Sequence, residues 1–311
     1  MSRIHEALRK AERERAAQKS DDPAFIGPEE MPVNSAAAAG VEILTNPSLT
    51  EPGVPRSSEF LRVDDLRERC AQVSWRLDPR HNVFMNSDPS TPGAEEFRTL
   101  RSRLYQLRGN QSLRTILVTS SVPGEGKTFT VTNLASAIIR QPGRRALIID
   151  ADLRRPRVHV SLGAPVAPGL AEYLKGEADE TAVIQRGQDS DLYLIPGGGE
   201  VTNPSELLSN GRLKNLLERV SSLFDWVILD SPPCVPVSDA SVLADMCDGL
   251  LLVVRSGSTP LEIARKAVQE LQGKNIVGVV LNAVGKSDLY HGYYYYQGYG
   301  YGDRAESSAT A

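Results

Sequence analysis

At 311 residues, with 41% hydrophobic and 24% charged residues, the chain is long enough for one large α/β domain plus an appendage. A formal net charge of −4 and a pI near 5.7 exclude a globally basic nucleic-acid binder, so no nucleic-acid partner is expected. Cys70, Cys234 and Cys247 form no C-x-x-C, and His5, His81, His159 and His291 have no ligand spacing, which excludes a disulfide framework and a zinc site.

Residues 1–19, MSRIHEALRKAERERAAQK, read as a charged helix with Ile4, Leu8 and Ala11 on one face and six Lys/Arg against three Glu. The helix is either a docking face for a protein partner or simply solvated. It has no apolar signal-peptide core, and no later window approaches the length of a membrane span. The expectation is a soluble cytoplasmic chain whose membrane address comes through a partner. From Ser20 to about Ser58, Pro, Ala, Gly and Ser dominate, and 59–85 is ambiguous apart from a short helical pattern from Asp65 to Ser74. Residues 20–80 are therefore expected to be a flexible linker and poorly ordered leader. A P-loop domain over 81–288, its regular structure starting near Pro89, and a tail over 289–311 complete the division.

Gly93 to Leu107 carries Phe97, Leu100, Leu104 and Leu107 at helical spacing, with Glu95, Arg98 and Arg101 on a neighbouring face. That charged row is either solvated or bridges to another subunit. Next comes LRTILVTSSVPGEGKTFTVTN, residues 113–133. An apolar strand breaks into Ser120-Ser121-Val122-Pro123-Gly124-Glu125-Gly126-Lys127-Thr128 before a helical pattern begins, which is the order of a P-loop. Ser121 stands where the usual first glycine falls. The glycines let successive N–H groups turn inward toward phosphate oxygens, and the following helix adds the positive end of its dipole. Lys127 is placed to neutralise phosphates and Thr128 to offer its hydroxyl to Mg²⁺. Candidate nucleotide contacts are Ser121, Pro123, Gly124, Glu125, Gly126, Lys127, Thr128 and Phe129.

A strand from Arg145 ends in ALIID at Asp150, followed by Ala151-Asp152-Leu153-Arg154-Arg155-Pro156. A short strand spans Leu192 to Ile195. Asn203-Pro204-Ser205-Glu206 has the signature of a helix start, and that helix is interrupted at Asn210-Gly211. WVILD, ending at Asp230, is another apolar strand with an acidic end. A helix over Asp239 to Cys247 and a strand over Leu250 to Val254 follow. Thr259-Pro260-Leu261-Glu262 repeats the capping signature, and Ile276 to Leu281 is the last strand. Asn282, just after it, is a further candidate nucleotide contact, although asparagine is also a common turn residue.

Apolar strands alternating with helices predict an α/β, doubly wound, mostly parallel sheet covered on both faces. Ligands in such sheets bind beyond the carboxyl ends of the strands, so the P-loop, Asp150, Asp152 and Asp230 are expected to share one crevice. Lys127, Asp150 and Asp152 are the candidate catalytic residues, and Thr128, Asp150, Asp152 and Asp230 the candidate Mg²⁺ ligands, directly or through water. The residues leave open which of Asp150 and Asp152 takes a proton. Arg154, Arg155 and Arg157 could stabilise transferred charge, grip an acidic acceptor, or form a solvated basic loop.

The tail Tyr290-His291-Gly292-Tyr293-Tyr294-Tyr295-Tyr296-Gln297-Gly298-Tyr299-Gly300-Tyr301 packs seven of the ten tyrosines into twelve residues. Interleaved glycine and the lack of apolar alternation predict a flexible extension with exposed phenols. Each phosphate added there would bring about −1.5 to −2 charges at neutral pH, enough for a cluster to repel itself and break an assembly.

Taken together, SSVPGEGKT, LIIDADLRRP, VILDSPP, EEFRTLR and the tyrosine cluster resemble a bacterial tyrosine kinase (BY-kinase) of a capsule or exopolysaccharide export system, over about residues 80–302. The resemblance implies the fold of the deviant Walker P-loop NTPases, ATP and Mg²⁺ as cofactors, and phosphorylation between subunits of Tyr290, Tyr293, Tyr294, Tyr295, Tyr296, Tyr299 and Tyr301. It implies a ring-like homo-oligomer joined through Glu95, Arg98 and Arg101 and dispersed by phosphorylation. It also implies a membrane activator of the polysaccharide chain-length regulator type that recruits the kinase to the inner face of the cytoplasmic membrane. The first 80 residues resemble the leader of exosortase-associated autokinases. Two alternatives share the motifs: a switch ATPase of the partitioning or septum-placement type, which carries an early P-loop lysine where this chain has Ser120, Ser121 and Val122, and a non-enzymatic ATP-binding adaptor.

Overall fold

The computed structural model describes residues 62–85, 93–188 and 190–285. The helix expected over 1–19, most of the expected linker and leader, and all seven tail tyrosines lie outside the described residues.

The described residues build an eight-stranded sheet, in the order β1-β4-β5-β3-β6-β2-β7-β8. Its centre is β2 (Thr115–Ser120), β3 (Ala146–Asp150), β6 (Trp226–Asp230) and β7 (Gly249–Arg255), all parallel to their neighbours within that group. These strands are nearly continuous apolar runs because both sheet faces are covered. Successive side chains go to opposite faces: Leu117, Leu147 and Leu229 enter one core, and Ile116, Ile148 and Ile228 the other.

On one face lie α2 (Ala94–Asn110), α3 (Lys127–Ile139) and α4 (Val158–Leu162), through residues such as Phe97, Leu134 and Val158. The opposite face is covered by α1 (Val63–Arg69), α5 (Leu170–Lys175), α6 (Glu180–Val183), α7 (Pro204–Leu208), α8 (Arg212–Val220), α9 (Asp239–Ala244) and α10 (Leu261–Glu270). The expected doubly wound architecture is thus present. The predicted break at Asn210-Gly211 falls between α7 and α8, where Gly211 adopts φ +81°, a left-handed conformation that costs glycine little.

One feature departs from the sequence reading. The expected domain start at residue 81, with 20–80 as linker, is too late. Residues 63–69 form α1, which buries Leu66 to 1% exposure, and β1 (Ala71–Val73) pairs in parallel with β4 (Gln185–Gly187). The helical pattern over Asp65 to Ser74 is therefore half helix and half strand. A three-residue strand held by backbone pairing, with Ala71 and Gln72 exposed, has no apolar pattern to read. β4 runs antiparallel to β5 (Leu192–Ile195) at this edge, and the other strand pairs among the described residues are parallel, in agreement with the expected mostly parallel sheet. The other edge is β8 (Ile276–Asn282), parallel to β7.

Candidate active site

The carboxyl ends of β2, β3 and β6 meet at one crevice, because β2 and β3 both pair with β6 and Asp150 is the register partner of Asp230. The loop after β2 turns through Gly124 at φ +86° and Gly126 at φ +94°, and α3 begins at Lys127. A Cβ on Gly124 would point into open space, whereas one on Gly126 would lie 2.0 Å from Asn282 Nδ2. The glycines therefore serve different needs, an open cradle at Gly124 and close approach to β8 at Gly126.

The loop is braced from β7 and β8. Glu125 is 2% exposed, and its carboxylate accepts hydrogen bonds from Val122 N at 2.8 Å, Thr259 Oγ1 at 2.5 Å and Arg255 N at 3.3 Å. Arg255 Nη1 donates to Gly124 O at 3.2 Å, and Asn282 Nδ2 to Glu125 O at 2.8 Å. Of the candidate nucleotide contacts, the Glu125 side chain thus turns inward to shape the loop, and Asn282 is a loop brace. Phe129 packs its ring against Phe97 at 5.8 Å and leaves only its backbone to the loop. The Ser121 hydroxyl is buried without a hydrogen-bond partner among the described residues, and Pro123 and Gly124 are exposed at the mouth.

Lys127, Thr128, Asp152 and Asp230 are brought together as expected. Lys127 Nζ lies 3.1 Å from Asp152 Oδ2, and Thr128 Oγ1 donates to Asp230 Oδ2 at 2.5 Å. Asp150 sits deeper: its Oδ2 accepts from Arg157 N at 2.9 Å and Val158 N at 3.0 Å, tying down the chain into α4. Burial, then the neighbouring Asp230 charge, pushes the Asp150 carboxyl well above the usual carboxylate range. Burial likewise pushes Asp230 up to about 7, against the pull of Lys127 and the Thr128 hydrogen bond.

Asp150 Oδ1 and Asp230 Oδ1 are buried with no hydrogen-bond partner among the described residues. Carboxylate oxygens without a donor, beside a threonine hydroxyl and an open cradle, fit a hard divalent cation. Among the described residues no group of three or more His, Cys, Asp or Glu is placed as an all-protein metal cage.

The sequence reading missed Thr259, Arg255, Ser205 and Asp239. Thr259 and Ser205 belong to the two helix-start signatures, yet neither Pro260 nor Asn203, the residues that precede α10 and α7, makes a side-chain cap bond. The Thr259 hydroxyl goes to Glu125, and that of Ser205 to Asp239 at 2.6 Å. No local signal distinguishes a capping hydroxyl from one used at a distance. Of the basic run after Asp152, Arg154, Arg155 and Arg157 are all exposed, and Arg154 pairs with Asp239.

A family model described as an AAA domain matches residues 113–270. The tyrosine-protein kinase YwqD of Bacillus subtilis (strain 168) is 34% identical over 221 residues, covering 70% of this chain and 92% of YwqD. The succinoglycan biosynthesis transport protein ExoP of Rhizobium meliloti (strain 1021) is 34% identical over 206 residues, covering 65% of this chain. The chain spans only 26% of ExoP. Among solved structures, the kinase domain of the Escherichia coli tyrosine kinase ETK matches with a TM-score of 0.61 and 33% identity, over 72% of this chain and 83% of that one.

Proposed function

Because the chain belongs to the bacterial tyrosine-protein kinases, we propose that its crevice transfers the γ-phosphate of ATP to the tyrosines at 290–301 of a neighbouring copy. The single observation that carries this reading is the convergence of Lys127, Thr128, Asp152 and Asp230 at the P-loop. Thr128 and Asp230 would hold Mg²⁺ with Asp150 behind them; bound there, the ion supplies charge neutralisation to the phosphates.

The chain's own residues do the rest. Lys127 is paired with Asp152 and turns from it to the phosphates when ATP binds. Asp152 is then a carboxylate without its counter-ion, and its Oδ2 takes the proton of an incoming phenol. The phenol oxygen bonds to the γ-phosphorus as the bond to the β,γ-bridging oxygen breaks, and ADP leaves. Asp150, with one oxygen committed to the Arg157 and Val158 amides, positions the loop and is not the base in this scheme.

The kinase reading places the chain in exopolysaccharide synthesis and export, alongside relatives such as ExoP. Among the described residues no helix is long and apolar enough to cross a membrane. A membrane protein of the chain-length regulator type is the proposed activator, holding the kinase at the inner face of the cytoplasmic membrane. Mass spectrometry of residues 286–311 after incubation with ATP, Mg²⁺ and that activator tests the reading. Phosphate on several of Tyr290 to Tyr301 is expected. Phosphate release with an unmodified tail would instead identify a switch ATPase.

A ring of copies joined through α2 is the proposed assembly. Glu95 is exposed at 74% and pairs with Arg98 at 2.8 Å, so this pair is presented at the surface. Arg101 differs: its Nη1 donates to Ala137 O at 2.6 Å, stitching α2 to α3 within one chain. Its part in assembly is thus to set the pose of α2. Arg98→Ala combined with Arg101→Ala is expected to lower the oligomer mass in light scattering, and an unchanged mass would remove α2 from the interface.

A further inference from the structure

The loop from Ala151 to Arg157 carries Asp152 and is fastened on two sides. Asp152 Oδ1 accepts from Arg155 N at 3.1 Å, and Asp150 Oδ2 accepts from Arg157 N and Val158 N. Beyond β5, Gly197 lies so close that a Cβ there would sit 2.5 Å from Pro156 Cβ. The Arg154 side chain leaves the loop for α7 and α9.

Arg154 Nε donates to Asp239 Oδ2 at 2.7 Å and Nη2 to Asp239 Oδ1 at 3.1 Å, a bidentate pair. Nη2 also donates to Ser205 Oγ at 2.9 Å, and Ser205 Oγ donates to Asp239 Oδ1 at 2.6 Å. A closed triangle of hydrogen bonds thus joins the acid loop, the first turn of α7 and the start of α9. The Asp239 side chain is 0% exposed and that of Arg154 38%. Burial alone would raise the Asp239 carboxyl, but its bonds to Arg154 and Ser205 outweigh this and hold it below the usual range.

Asp239 is fully buried but Arg154 stays partly exposed, so solvent screens the attraction and the pair adds only modestly to stability. What the pair adds is direction, because a planar guanidinium gripped by two carboxylate oxygens has little angular freedom. Only Leu153, itself 6% exposed, separates Asp152 from Arg154, so little slack lies between the tether and the acid.

We propose that Asp239, seconded by Ser205, is a positioning residue for phosphoryl transfer: acting through Arg154, it sets where Asp152 stands to take the phenol proton. Arg154 is on this account a latch and not a grip on the acceptor. The latch touches neither the P-loop amides nor Thr128, so it governs turnover and leaves ATP binding nearly alone. The inference rests on the kinase reading for its assay but not for its geometry.

The test uses the full chain with Asp239→Asn, Arg154→Ala, the double variant and Ser205→Ala. Initial rates of phosphotyrosine formation are measured against ATP concentration, together with equilibrium ATP affinity and phosphate release. A displaced reacting group costs up to about a hundredfold, so kcat is expected to fall roughly ten- to a hundredfold in Asp239→Asn, with ATP affinity within about twofold of wild type. The double variant is expected to be no worse than Arg154→Ala, the mark of two residues acting as one unit. Ser205→Ala should lose a few-fold in the same parameter. Losses that multiply in the double variant, a fall in ATP affinity large enough to explain them, or an unchanged kcat in Asp239→Asn would overturn the proposal. Should Asp239→Asn fail to fold, unchanged kcat in both Arg154→Ala and Ser205→Ala overturns it equally. If wild type forms no phosphotyrosine, the kinase reading alone fails, and the same comparisons on phosphate release decide the latch.

Discussion

Lys127→Met is expected to abolish phosphotyrosine formation, with a loss of about 10³-fold or more, as for other removals of a charge that stabilises a transferring phosphoryl group. The geometry adds a second effect. Lys127 and Asp152 have only 15% and 6% of their side chains exposed, so methionine leaves a buried carboxylate without its partner. Breaking such a pair from one side commonly costs about 3–5 kcal/mol, and the variant should melt at a lower temperature than wild type. Lys127→Met combined with Asp152→Asn should recover much of that stability and none of the activity. Inactivity and instability are thereby separable. Mixing provides a further control: a Lys127→Met chain should become phosphorylated by a chain whose seven tail tyrosines are phenylalanine, because donor site and acceptor tail then sit on different copies. Labelling of Lys127→Met alone at the wild-type rate would refute the kinase assignment. Absence of label in the mixture, with wild type labelling itself, would refute transfer between copies.

Asp230→Asn should produce opposite effects on activity and on stability. Loss of the carboxylate beside Thr128 is expected to lower turnover by about 10²- to 10³-fold, the usual scale for one preorganised electrostatic group. The nucleotide-free and metal-free protein, however, should become more stable. Asp230 is held neutral up to about pH 7 by burial, with Asp150 and Asp152 beside it and only Lys127 and Thr128 in its favour. Its carboxyl therefore binds its proton more tightly folded than unfolded. Its stabilising contribution is complete below the ordinary carboxylate pKa and is lost as pH rises through about 7. Asparagine does not titrate, so the advantage of the variant should grow with pH and be greatest above about 7. A gain of ~0.5–2 kcal/mol is typical when an active-site compromise is relieved, and each kcal/mol moves the melting temperature by roughly 2–4 °C in a domain of this size. Adding ATP and Mg²⁺ should reverse the order, since a ligand stabilises the chain that binds it. A ligand-free variant less stable than wild type at pH 8 would show that the carboxylate is a net structural asset.

Most of the central sheet was legible because its strands are buried on both faces. WVILD and LYLI contain the complete strands β6 and β5, and the acidic ends of β3 and β6 identify the crevice. The periphery was not legible in the same way. β1 is made by backbone pairing to β4, and α1 by a few anchors such as Val63 and Leu66, so residues 62–80 read as a leader. The helix expected from Asp239 to Cys247 ends at Ala244, and the charged row Glu95, Arg98 and Arg101 divides into a surface pair and an internal stitch.

The sequence alone determined the proposed phosphate grip. Gly124, Gly126, Lys127 and Thr128 are contiguous, and a loop between a strand and a helix needs little beyond its own backbone to present amides and a lysine. Its departure at Ser121 and the distant tyrosine cluster were likewise readable, since both are matters of residue type and spacing. Only the tertiary structure decided what holds that grip in place. Glu125 meets Thr259, Asn282 meets the loop carbonyl, and Arg154 meets Asp239 across 134, 157 and 85 residues of chain respectively. Such contacts leave no periodicity and no local pattern. They exist because a parallel sheet gathers the ends of separate strands at one edge, and polar groups buried there must find partners wherever the fold has put them.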